Sequence, residues 1–210
     1  MIIAVDGPAA SGKGTLAAGL ARHYGLPHLD TGLLYRAVGR AVAPFEDTPR
    51  FEAEAIAAAR AVDTAHLDPV VLSSAEAGAL AIKVAVIAEV RVALFDFQRQ
   101  FALQPGGAVL DGRDIGTKIA PDADVKLFIR ADSKARMERR ARQFEARGQV
   151  VDRYAHYHQI EERDARDSAN PNGGFYPAPD AHLLDTTLLD IEAALRAAVA
   201  IVDGVLARKA

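Results

Sequence analysis

Five short apolar runs punctuate the chain. Ile2–Asp6, Leu26–Asp30, Gly107–Asp111, Val125–Arg130 and His182–Asp185 are continuous rather than alternating in hydrophobicity. Continuous runs mark strands covered on both faces, as in a parallel sheet flanked by helices. Helical patterns fill the intervals at about 13–24, 32–42, 51–61, 74–103 with a break, 133–146, 151–168 and 190–207. The last keeps one apolar face through Ile191, Ala194, Leu195, Ala198, Val199 and Val202. Asp190 stands where an N-cap belongs. Residues 43–80 are Ala-rich and carry Pro44, Pro49 and Pro69, with no strand signal, so they predict a small helical insert. The stretch 170–179 reads as a loop by its Asn, Pro and Gly content.

Four of the five strands end at an aspartate followed by a turn: Asp6-Gly7, Asp30-Thr31, Asp111-Gly112 and Asp185-Thr186. Ligands of open α/β sheets bind beyond the carboxyl ends of the strands, where these residues fall.

Composition narrows the function. The 210 residues are 50% hydrophobic and 25% charged, the balance of one soluble domain with a sizeable core. A net charge of −3 and 6% aromatic residues without Trp argue against a nucleic-acid binder. The absence of Cys excludes disulfides, thiolate catalysis and Cys-ligated metals. No run approaches the ~18 apolar residues of a membrane span. Ile2–Val5 is too short, and lacks the basic flank, to be a secretory leader, so a cytoplasmic location is expected; a monomer is the expected state by a separate reading.

The segment Gly7-Pro8-Ala9-Ala10-Ser11-Gly12-Lys13-Gly14-Thr15 follows a predicted strand and opens a predicted helix. Glycines let a backbone turn its N–H groups around phosphate oxygens, and the helix start adds a positive end. Lys13 supplies a cation for the outer phosphates of a nucleoside triphosphate. A glycine-rich turn with an incidental Lys is the plainer alternative.

Four further clusters bear on a second site and a lid. In Asp30-Thr31-Gly32-x-x-Tyr35-Arg36, Thr31 is placed to cap a helix and Arg36 to meet an anion; a capped helix with a solvated Arg is the plainer alternative. In Asp111-Gly112-Arg113-Asp114-Ile115-Gly116-Thr117, Asp111 stands where P-loop enzymes organise Mg²⁺ through water. Arg113 suits phosphate, and Asp114 suits an amino-bearing base. Arg136, Arg139, Arg140, Arg142 and Arg147 make either a basic lid or a solvated face. Arg163 and Asp167 share a helix face, as a surface ion pair or as contacts to phosphate and ribose. His156 and His158, two apart, do not form a metal site, and no metal-ligand spacing stands out.

The segments GPAASGKGT, LDTGLLYRA, VRVAL, LDGRDIGT, PDADVKLFI, RDARDS and PDAHLLDTT resemble the bacterial cytidylate kinase family, in order and spacing, from about residue 2 to about residue 205. The resemblance implies a P-loop nucleoside monophosphate kinase fold with a five-stranded parallel sheet of order 2-3-1-4-5. It implies one domain over 1–210, with a core of 1–42, 84–135 and 180–210, an acceptor-binding insert at 43–83 and a lid at 136–170. ATP with Mg²⁺ is the implied donor, held by Gly7 to Thr15 and Arg139. CMP and dCMP are the implied acceptors, phosphorylated to CDP and dCDP. Thr31, Tyr35 and Arg36 line their pocket, Arg36 and Arg113 meet the phosphate, Arg91 and Asp114 read cytosine, and Arg163 and Asp167 lie near phosphate and ribose. Lys13, Arg36, Arg113, Arg139 and Asp111 are the implied catalytic set. Two positions depart from the family. Ile82 stands where a base-reading Ser is usual, and Asn170 stands where an Arg is usual; Lys83, Asn170 and Asn172 are candidates to replace them. A kinase of another small acceptor, or a nucleotide-binding regulatory module, is the alternative.

Overall fold

The computed structural model describes residues 1–64, 67–72, 74–146, 148, 150–169 and 176–209, with the backbone alone at 75, 163, 166 and 168. Its strands are β1 (Ile2–Asp6), β2 (His28–Asp30), β3 (Ala108–Gly112), β4 (Val125–Arg130) and β5 (His182–Asp185). They form one sheet of order β2-β3-β1-β4-β5. The pairs β1–β3, β1–β4 and β4–β5 are all parallel, with Ile3 opposite both Val109 and Val125. The order places β1, and so the loop after it, in the centre of the sheet.

The helices are α1 (Lys13–Tyr24), α2 (Thr31–Val42), α3 (Phe51–Arg60), α4 (Pro69–Leu72), α5 (Ala75–Val84), α6 (Ala88–Ala102), α7 (Ser133–Glu145), α8 (Arg153–Ala169) and α9 (Ile191–Lys209). The chain divides into two compact units, 1–29 with 102–210, and 30–101. The smaller unit therefore takes in α2 and nearly all of α6 as well as the 43–83 stretch.

In the larger unit, Ile3, Val5, Val109, Leu127 and Ile129 of the sheet pack with Leu16, Ala17 and Leu20 of α1 and Ala194, Ala198 and Val202 of α9. Burying such aliphatic side chains stabilises by roughly 1.5–3 kcal/mol each, which makes this layer the main support of β1. The α7–α8 pair has a separate small core of Met137, Ala141 and Ile160. In the smaller unit α2 packs on α5 and α3, burying Leu34, Val38, Val42, Ala55, Leu80 and Val84.

The structure departs from the sequence expectations at element ends. β2 starts at His28, because Leu26 N–H bonds Ala21 O at a helix terminus and Pro27 has no N–H to give. Asp30, not Thr31, caps α2: its carboxylate accepts from Gly32 N at 2.9 Å, and Thr31 is the first helical residue. A π-helical turn, Ile115–Ile119, follows β3, and α4 is a short helix that periodicity does not reveal. Asp190 does cap α9, accepting from Ala193 N at 2.7 Å.

Candidate active site

The loop from β1 to α1 is shaped by glycine. A Cβ at Gly7 would lie 2.1 Å from the Ile129 carbonyl oxygen, so no side chain fits between β1 and β4 there. Gly12, the residue before α1, sits at φ 92°, a left-handed conformation that costs glycine nothing. The first turn of α1 carries no acidic residue. Its N-terminal partial positive charge is thus left for an anion. Ser11 is fully buried within the loop.

Three arginines hold this loop by alternate carbonyls. Arg113, after β3, donates from Nη1 to Gly7 O at 2.9 Å. Arg136 on α7 donates to Ala9 O at 3.3 Å, and Arg139 on the same helix donates to Ser11 O at 3.1 Å. Carbonyls bound to guanidinium groups cannot swing toward a phosphate, so the repulsive dipoles of the loop are tied back. Thr186, just past β5, shares the work: its hydroxyl donates to Ser11 O at 2.9 Å, and Arg139 also bonds its hydroxyl and carbonyl oxygens. The α7 basic run therefore divides. Arg136 and Arg139 turn inward, Arg140 lies over the Phe144 ring at 5.3 Å, and Arg142 is exposed. Arg147 lies outside the described residues.

Lys13 Nζ stands 3.8 Å from Asp111 Oδ2 at the end of β3. Asp111 is 1% exposed, and its other oxygen lies 2.8 Å from His28 Nε2. A carboxylate taken this far from water needs such partners. Arg113 pairs through Nε with Asp167 Oδ2 on α8 at 2.7 Å. Arg136 makes a two-point pair with Asp164 on the same helix, at 3.1 and 2.5 Å. The side chain of Arg163 and all of Asn170 lie outside the described residues. Asp114 is half-buried, and its carbonyl accepts from Lys118 N at 2.8 Å and from Ile119 N, five residues on, at 3.2 Å, the bond that starts the π-helical turn.

Asp6 closes β1 and is 5% exposed. Its two oxygens accept from Ile115 N at 2.9 Å and Gly116 N at 2.8 Å. Burial pushes its carboxyl up to about 6, against the lowering effect of those two N–H groups.

In the smaller unit, Thr31 is buried at the start of α2, and Tyr35 and Arg91 are half-buried. Arg36 donates from Nη1 to Leu72 O at 2.9 Å and Ser74 O at 3.2 Å, bracing the end of α4. Burial lowers its pKa, and Asp30 partly offsets this. Ile82 on α5 is half-exposed, and Lys83 beside it pairs with Glu46 at 2.5 Å.

The sequence brought forward Lys13, Asp111, Arg113, Arg139 and Asp167, and within the larger unit the structure links them to one another or to the loop. It marked Asp6 and Thr186 only by their place at strand ends and Asp164 only within the RDARDS segment, it did not bring forward His28, and the partners of all four stayed hidden. Each acts on a partner more than 25 residues away, so no local pattern marks the pairing. Among the described residues no group of three or more His, Cys, Asp or Glu is placed to hold a metal ion. Among them, too, no helix is long and apolar enough to cross a membrane.

A five-stranded parallel sheet of this order, with a glycine loop and helix N-terminus at the end of its central strand, is the P-loop nucleoside monophosphate kinase fold. A solved structure of an uncharacterized protein from Eubacterium ventriosum shares the architecture, with a TM-score of 0.57 over 97% of this chain and 98% of its own at 17% identity. The family model described as Cytidylate kinase matches residues 3–203, and the chain belongs to that family. The cytidylate kinase of Methylocella silvestris is 54% identical over 97% of this chain and 94% of its own length. That of Xanthobacter autotrophicus is 55% identical over 97% of each.

Proposed function

We propose that the protein transfers the γ-phosphoryl group of ATP to CMP and dCMP, releasing CDP or dCDP. The observation that carries this reading is the bond from Arg113 to Gly7 O at 2.9 Å. It anchors the arginine expected to meet an acceptor phosphate directly to the loop expected to hold the donor phosphates. Phosphoryl transfer needs little covalent chemistry from the protein; it needs two anions held in line and their spreading charge stabilised. Gly7 to Thr15 take the triphosphate, with Lys13 at its outer phosphates. Arg139 braces that loop through Ser11 and Thr186. Arg113 and Arg36 neutralise the acceptor phosphate. The remaining acceptor contacts, by family resemblance, are Thr31, Tyr35, Arg91, Arg163 and Asp167.

Asp114 gives base preference. Cytosine presents an amino group where uracil presents a carbonyl, so a carboxylate attracts one and repels the other. Mg²⁺ fits the residues present: Asp111 is a buried carboxylate beside Lys13, and Thr15, which carries a hydroxyl, is an exposed residue in the first turn of α1. Mg²⁺ keeps most of its water and takes few protein oxygens, so one carboxylate and one hydroxyl suffice. When bound, it would neutralise charge on the β- and γ-phosphates. The protein is taken to work as a monomer in the cytoplasm.

The test is product formation from ATP with CMP, dCMP, UMP and AMP side by side, repeated with Asp114→Asn. CDP and dCDP formation well above UDP and ADP is expected, with a narrower CMP-to-UMP gap in the variant. Preference for another acceptor, or tight nucleotide binding without transfer, overturns the reading.

A further inference from the structure

We infer that Asp6 is a positioning residue for the acceptor: its carboxylate clamps the Arg113–Gly116 segment to the end of β1, so that the acceptor-binding groups are set by the same strand that carries the phosphate loop. The inference rests on the proposed roles of Arg113 and Asp114. The clamp runs both ways. Asp6 Oδ1 and Oδ2 accept from Ile115 N and Gly116 N at 2.9 and 2.8 Å. In return, Arg113 reaches back to the carbonyl of Gly7, the residue after Asp6. One residue pair, Asp6 opposite Gly112 in the β1–β3 register, thus has a bond in each direction just past it. Arg113 and Asp114 lie inside that closed loop, between the strand and the two N–H groups Asp6 holds.

The site leaves no slack. Asp6 is 5% exposed, and a Cβ at Gly116 would meet Asp6 Oδ2 at 3.3 Å and Lys126 Cδ at 3.2 Å. A segment held by two charge-assisted bonds keeps its side chains within the few tenths of an ångström that recognition demands. Asp6→Asn keeps the shape but puts an NH₂ against one of the two N–H donors. One bond becomes a donor–donor contact, and the segment must shift.

The experiment measures KM for CMP and for ATP separately, in Asp6→Asn and in Gly116→Ala. Both variants should raise the CMP KM about tenfold and leave the ATP KM within twofold. On an Asp114→Ala background, Asp6→Asn should add less than twofold, since it acts through the segment that carries Asp114. Parallel changes in both constants, an unchanged CMP KM in folded protein, or full additivity with Asp114→Ala overturns the inference. Should Asp6→Asn fail to fold, Gly116→Ala decides alone. If Asp114→Ala by itself leaves the CMP-to-UMP ratio unchanged, the base-reading role fails, and the split between CMP and ATP constants still judges Asp6.

Discussion

Arg113 Nε donates to Asp167 Oδ2 across 2.7 Å, joining the segment after β3 to α8. Both side chains are about a quarter exposed, so the pair is partly screened yet not a loose surface contact. Two residues expected to touch one substrate hold each other before it arrives. Asp167→Ala should therefore raise KM for CMP and for dCMP together, by roughly tenfold, because Arg113 loses its orienting partner. A rise for CMP alone would assign Asp167 to the 2′ hydroxyl instead. Unchanged constants for both would show that Arg113 is oriented by Gly7 O without help.

Lys13→Ala removes the cation expected at the outer phosphates of ATP. The expected loss in kcat is a thousandfold or more, about 4 kcal/mol of transition-state stabilisation. The fold should survive, because Asp111 keeps its contact to His28 at 2.8 Å. Steady-state CDP formation and a melting curve read the two effects separately. A variant that retains most of its kcat would remove the phosphate role from this loop.

The Asp6 carboxyl also makes stability depend on pH. Its native pKa is raised from 3.8 to about 6, so the native state holds this proton more tightly than the unfolded chain. The resulting stability is present below pH 3.8 and is lost as pH rises toward 6, amounting to something on the order of 3 kcal/mol. Asp6→Asn abolishes this dependence. Urea unfolding should show the variant's deficit shrinking as pH goes from 4.5 to 7. Parallel wild-type and variant curves would mean that Asp6 does not titrate in that window.

Ile82 is 49% exposed on α5, at the position where the family resemblance implies a base-reading Ser. Lys83 is not a ready substitute, since Glu46 holds its ammonium at 2.5 Å. Ser and Ile have similar helix propensities, so Ile82→Ser should leave α5 intact. It should lower the CMP KM severalfold, consistent with about 1 kcal/mol for one restored hydrogen bond, and leave the ATP KM alone. No change in the CMP constant would show that another group already does this work.

The amino-acid sequence dictates the alternation of strand and helix, because buried parallel strands must be apolar on both faces: the run from Ile2 is unbroken up to its closing Asp6, β4 keeps its run but for Lys126, and β5, an edge strand, buries only Leu184. It determined the phosphate loop for a local reason: glycine spacing and a following helix are encoded within nine consecutive residues. Family likeness added the strand order and the acceptor residues. Element ends were less legible where neighbours decide them. Pro27 accepts a ladder bond from Val109 N but has none to donate, so β2 is shorter than its apolar run. Asp30 takes the cap of α2 that Thr31 could have filled. Tertiary structure alone decided which charges meet. His28 reaches Asp111 across 83 positions, Arg113 reaches Gly7 across 106, and Asp6 reaches Ile115 across 109. A buried carboxylate or guanidinium needs a partner, but its own sequence neighbourhood does not say which; the sheet order does, by laying β3 beside β1 and bringing their ends to one edge.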